Sequence, residues 1–158
     1  MVAPRTRSLV VLLALGCAVV VPIGPAGAKS RIDDKALTWL QGSWVLVSGQ
    51  VDGKPVPSKY VKQSRLAFSG RTISVYAPDR SKQTMREMLE RLDPKKSPRE
   101  MDWKSSTGPS KTTRAIYEVQ GKRQFRICFD PTSDKRPTGF GGKASGCRVL
   151  HVWGRAKK

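Results

Sequence analysis

The chain has 158 residues, with 30 Lys and Arg against 12 Asp and Glu, one His and three Cys, for a formal charge of +18. A single histidine leaves few parts for metal or nucleophile chemistry. The charge favours anionic polymers or surfaces without naming one.

In chain order, Arg5 and Arg7 precede an apolar run from Leu9 to Val21, which Pro22, Gly24 and Pro25 end before Ala26-Gly27-Ala28. That is the pattern of a secretory signal peptide over residues 1–28, with Lys29 as the new first residue and an exported, periplasmic or extracellular product. Roughly 13 apolar residues fall short of the ~20 that a spanning helix needs, so no transmembrane segment is expected in the mature form. Ala14-Leu15-Gly16-Cys17 also ends like a lipoprotein cleavage site, which makes a lipid on Cys17 the alternative. Leu15 is bulky for that role, and the apolar run continues to Val21. Taking 28 residues from 158 leaves 130, enough for one domain and not two, at +16 once Arg5 and Arg7 have gone.

Residues 29–36 read as a polar lead-in, 37–155 as the domain and 156–158 as a basic tail. Ala36 to Gln41 is expected as one helical turn, with Leu37 and Leu40 on one surface. Strand one follows from Ser43 to about Val51, with Trp44 and Leu46 on the face that suits a core, and Asp52-Gly53 signals a turn. Arg65–Ser69, with Leu66 and Phe68 alternating, and the β-branched Thr72–Tyr76 read as a hairpin about Gly70. Met85, Met88, Leu89 and Leu92 follow helical spacing, and Glu87 and Arg91 read as a helical ion pair. Local pattern therefore makes Thr84–Leu92 a short amphipathic helix, whereas the family resemblance set out below argues for a strand.

Arg99–Lys104 carries Met101 and Trp103 on one face. Thr112–Val119 and Gln124–Phe129 make a second hairpin through Gly121, with Phe125, Ile127 and Phe129 on one face and Cys128 on the other. Residues 130–146 form a long loop rich in Gly and Pro, either mobile or functional. Cys147–Trp153 is the last strand. The mature cysteines Cys128 and Cys147 form an even pair that invites one disulfide in an oxidising compartment. If they bond, parity along the last strand sends Leu150 and Val152 inward, provided that Arg148 sits near the barrel mouth.

Several segments together carry a resemblance. They are Leu40-Gln41-Gly42-Ser43-Trp44 with Leu46-Val47-Ser48, and Val51-Asp52-Gly53-Lys54-Pro55. Further on come Leu92-Asp93-Pro94-Lys95-Lys96-Ser97-Pro98 with Met101-Asp102, and Ala115-Ile116-Tyr117-Glu118 with Gly121. Phe125-Arg126-Ile127-Cys128 and Arg136-Pro137-Thr138-Gly139-Phe140 complete the set. The combination resembles the uncharacterised lipocalin-like domain family expanded in planctomycetes, and Gly-x-Trp before a first strand is also how lipocalins begin. Lys122, where an acid is usual, and Phe125, where an aliphatic is common, depart from the pattern. The resemblance implies an all-β fold, a small lipocalin-like (calycin-type) antiparallel barrel of about eight strands after a short helical turn. It also implies that Trp44 packs under a basic side chain at the end of the last strand, a role Arg155 is placed to fill.

No constellation for catalysis stands out. His151 lies four residues after Cys147, ~13 Å apart on a strand, so the two do not share a metal there. No nucleophile elbow is present, and Asp102 and Asp130 could pair only through the tertiary fold. Tyr60, Trp103 and Phe125 sit near basic residues, but no nucleic-acid recognition signature accompanies them. Neither a cofactor nor an enzyme activity is expected. A barrel of this size is either filled or holds one small ligand, and Leu46, Leu66, Phe68, Ile73, Tyr117, Phe125 and Ile127 are the candidate apolar lining. The rival reading is an interaction module that holds anionic envelope polymers through its basic outside. Intact mass of the exported protein should lack residues 1–28; a diacylglyceryl mass at Cys17 would establish a lipoprotein instead.

Overall fold

Residues 32–76, 83–106 and 111–157 are described by a computed structural model, and the leader segment with Cys17 lies outside them. Nine strands follow one another: β1 (Gly42–Val51), β2 (Lys54–Pro55), β3 (Arg65–Ser69), β4 (Thr72–Tyr76), β5 (Gln83–Asp93), β6 (Arg99–Ser105), β7 (Thr112–Gln120), β8 (Gln124–Phe129) and β9 (Val149–Arg155). Each of β3 to β9 pairs antiparallel with its predecessor in the sheet, and β9 returns to β1. The result is a closed, lipocalin-like barrel of eight strands, with β2 a two-residue addition to β1. Closure leaves the barrel strands no open sheet edge.

One end is plugged. Helix α1 (Asp34–Leu40) is capped by Asp33, whose carboxylate accepts from the Ala36 N–H at 2.9 Å, and Leu40 is fully buried beneath it. The helix starts two residues before the expected turn, because Ile32 and Asp33 already pair with Leu92 of β5. Trp44 donates its indole N–H to the Leu40 carbonyl at 2.8 Å and meets Phe125 edge-on with centroids 4.8 Å apart. Over its ring lies the Arg155 guanidinium, 3.9 Å from the centroid, and the same guanidinium donates to the carbonyls of Gln41 and Trp39. A planar fork does both at once: its face stacks on the indole and its edge satisfies carbonyls at the helix end.

Strand β5 settles the helix-or-strand ambiguity of residues 84–92 in favour of a strand. A bulge between Leu89 and Arg91 in the pairing with β6 accounts for the interval of three between Leu89 and Leu92, whereas Met88 lies exposed on the outer face. One extra residue reverses the alternation, so Leu89 and Leu92, three apart, both point inward and are fully buried. Arg71 supports the bulge, donating to the Leu89 carbonyl at 2.9 and 3.1 Å. The Glu87–Arg91 ion pair does not form. Arg91 instead meets Glu100 at 2.7 Å and Asp93 at 3.5 Å on the outside, while Glu87 turns into the barrel beside Ile73 and Ser105. Helix α2 (Ser58–Gln63), absent from the sequence reading, bridges β2 and β3 and rests Val61 on the core. Six residues with a single apolar anchor give too little periodicity to reveal it.

Cys128 and Cys147 form a disulfide, with Cα atoms 5.6 Å apart. Leu150 and Val152 nevertheless face outward, opposite Cys128 and Arg126, while His151 and Trp153 face inward opposite Ile127 and Phe125. Cys147 precedes β9, and its N–H bonds back to the Gly142 carbonyl, so the strand's alternation does not extend through it. Parity counted from Cys147 therefore fails. Residues 130–146 fold over the outside of the barrel. Phe140 and Leu150 cover Ile116 and the disulfide, and Arg136 grips Asp102 at 2.6 and 2.8 Å and donates to the Ala115 carbonyl at 2.6 Å. Asp130 is engaged separately, by Thr132 at 2.7 Å, so it forms no carboxylate pair with Asp102.

Gly154 is the glycine the barrel most needs, since a Cβ there would lie 2.9 Å from Val47, the residue left out of register by the β1–β9 bulge. Arg155→Ala removes the stack and strands two carbonyls, and should lower stability by about 1–2 kcal/mol. Arg155→Lys should recover only part, lacking the flat fork. Urea midpoints of the two variants check this.

Candidate functional site

The strands enter and leave the plugged end at Trp44, Ser69, Thr72, Asp93, Arg99, Gln120, Gln124 and Arg155, so the opposite end is framed by Val51, Tyr76, Gln83, Ser105 and Val149. Toward that end the barrel holds a cavity of about 320 Å³. Of the seven candidate lining residues, Leu46, Leu66, Phe68, Ile73, Phe125 and Ile127 border it. Tyr117 does not. It is buried nearer the plug, opposite Arg99 and Ile127, its hydroxyl makes no hydrogen bond, and burial pushes its pKa up to about 12.

Four further ring side chains border the cavity. Trp103, Phe129, His151 and Trp153 form a continuous series of edge-on contacts, with successive centroids 5.2, 6.0 and 5.7 Å apart. The sequence places Trp103 on one face with Met101 without saying which way that face points, and parity counted from Cys147 puts His151 and Trp153 on the wrong side of β9. His151 sits where a Cβ on Gly49 would come within 3.1 Å of its ring, so a larger residue at Gly49 would displace the imidazole.

Two titratable groups face this apolar space. Glu87, on β5, has no hydrogen bond or ion pair with any described residue, and burial alone pushes its carboxyl up to about 7. His151, on β9, is held down to about 4 by the same cause, so its imidazole is neutral at ordinary pH. Such a pair can exchange hydrogen bonds with a bound molecule. Among the described residues no three His, Cys, Asp or Glu side chains come together as metal ligands.

The cations lie elsewhere. No Lys or Arg is among the described residues that border the cavity. A shallow outer hollow at the plugged end, between Gln41–Ser43 and Ala156, is edged by Arg123, Arg155 and Lys157. No helix of the described residues is long and apolar enough to cross a membrane. Comparison with protein-family models, curated proteins and solved structures gives no match.

The two interior groups act on stability with opposite sign. Folded Glu87 keeps a proton that the unfolded chain releases above 4.5, so its contribution declines as pH rises from 4.5 to about 7. Folded His151 declines a proton that the unfolded chain takes up below 6.5, so its contribution declines as pH falls from 6.5 to about 4. From 4.5 to 6.5 the two slopes offset each other. Glu87→Gln should therefore lose stability on acidification through this window, and His151→Asn should lose it on the way up. Urea midpoints at about pH 4.5, 5.5 and 6.5 separate the two cases.

Proposed function

We propose that the protein is an exported, non-catalytic binder that holds one small apolar or amphipathic molecule inside its barrel. The observation that carries this reading is the cavity of about 320 Å³, walled by apolar and aromatic side chains on hydrogen-bonded strands. That volume is at the small end of the range for ligand sites and equals about ten waters of liquid. Strands closed into a barrel and plugged at one end present such a wall with little further ordering on binding, which favours affinity. The leader pattern and the Cys128–Cys147 disulfide both suit an oxidising compartment. The resemblance to the lipocalin-like family expanded in planctomycetes points the same way.

A second reading draws on the charge of +18 and on the cationic hollow at Arg123, Arg155 and Lys157. In it, the outside of the barrel engages an anionic envelope polymer, and binding weakens steeply with salt.

Titration with the uncharged fluorophore N-phenyl-1-naphthylamine decides between them. Cavity binding should saturate at one site, be unmoved by added salt, and weaken about tenfold or more, ~1.4 kcal/mol, in Thr113→Phe, which fills the space from β7. No saturable binding in the parent, together with salt-sensitive retention on an anionic polymer, would favour the surface reading.

A further inference from the structure

We propose that the molecule taken up by the barrel is an apolar amine, held as its cation with the ammonium group between Glu87 and the aromatic wall. This rests on the cavity reading above and adds the chemistry of the ligand's polar end.

The charge distribution is the first argument. A chain with 30 Lys and Arg against 12 Asp and Glu brings none of its described cations to the cavity, yet places one carboxyl there. Glu87 is not a structural residue in any visible way. Its ladder partners Ile73 and Ser105 face inward with it, and no described side chain bonds or neutralises it. A carboxyl facing an apolar space with no partner works against stability, and an arriving cation removes that penalty.

The second argument is the wall. Trp103, Phe129, His151 and Trp153 join edge to face around the cavity, and tryptophan rings are the strongest cation–π acceptors among side chains. An ammonium with an apolar body can use both elements, its charge on Glu87 and its methylenes or rings against Phe68, Ile73 and Leu66. An apolar acid has neither. Its carboxylate would find no described Lys or Arg and would sit with Glu87 as a like charge.

The pairing also fixes a pH dependence. The groups that face Glu87 from the neighbouring strands are Ile73 and Val75 on β4 and Trp103 and Ser105 on β6, none of them charged. His151 is the other titratable group of the described lining and stays neutral above about 4. With Glu87 held up to about 7, acidification protonates the carboxyl and removes the counter-charge while the amine stays cationic. Amine affinity should fall with decreasing pH, and the affinity of an uncharged ligand of the same length should not.

The test compares decylamine, decanol and decanoate by displacement of N-phenyl-1-naphthylamine from the full chain, in salt sufficient to screen the outer charge. The expected order is decylamine tightest, by about tenfold over decanol, with decanoate weakest. Glu87→Gln, close to isosteric, should bring decylamine to the level of decanol, and acidification from about pH 8 to 5.5 should do the same to the parent. Decanol binding as tightly as decylamine, or an amine preference unchanged in Glu87→Gln, would overturn the amine assignment and leave the cavity reading standing. Failure of the fluorophore and of all three compounds to bind would overturn both.

Discussion

The barrel depends on the stack of Arg155 on Trp44. Trp44 lies near the start of the first strand and Arg155 ends the last, so one contact joins the two ends of the sheet where it closes. The guanidinium also takes up the Gln41 and Trp39 carbonyls at the end of helix α1, two of the carbonyls that a helix end leaves without an intrahelical partner. Burial lowers the pKa of Arg155 somewhat, but an arginine keeps its charge through such a shift. Trp39, Trp44, Phe68 and Phe125 then pack against one another as a plug of rings. With the floor filled by large rigid side chains, the space left inside the barrel lies at the other end.

From that arrangement follow the two irregularities that shape the cavity. The bulge at Leu89–Arg91 keeps Leu89 and Leu92 both in the core, and in the stretch before it the alternation turns Glu87 inward with Met85. A second bulge, between Leu46 and Ser48, carries Gly49 to the position opposite His151 and makes room for the imidazole. On the outside, the segment 130–146 covers β6 to β9 with its own small core about the disulfide. The Arg136–Asp102 and Arg148–Asp52 pairs fasten it and the Asp52–Gly53 turn. Ion pairs sit outside the wall and uncharged or lone groups inside it, so the interior stays apolar in a chain of +18.

How much of this was legible in the sequence varies with how local the signal was. The two hairpins, the Asp52–Gly53 turn and the inward face of Phe125 and Ile127 rest on alternation and turn chemistry between near neighbours, and these read directly. Residues 84–92 stayed open between helix and strand, because a bulge imitates the helical interval of three, and the helical alternative paired Glu87 with Arg91, a contact that does not form. His151 and Trp153 were misplaced because parity was counted through Cys147, which belongs to the covering loop rather than to β9. Six lining residues were therefore visible from the strand pattern, whereas the titratable pair and half of the aromatic wall required the three-dimensional register. Tyr117 shows the opposite limit. Its inward direction was readable from alternation, but its depth in the barrel, which puts it below the cavity, was not.

The central claim is that the inside of the barrel, and not its basic outside, is where a ligand goes. Isoleucine methyl NMR tests it most directly, since Ile73 and Ile127 face the cavity while Ile116 lies buried on the outer face under Phe140 and the disulfide. Titration with an apolar ligand should shift the methyl signals of Ile73 and Ile127 together, saturably, with Ile116 unmoved. Saturable binding that leaves Ile73 and Ile127 in place would contradict the account.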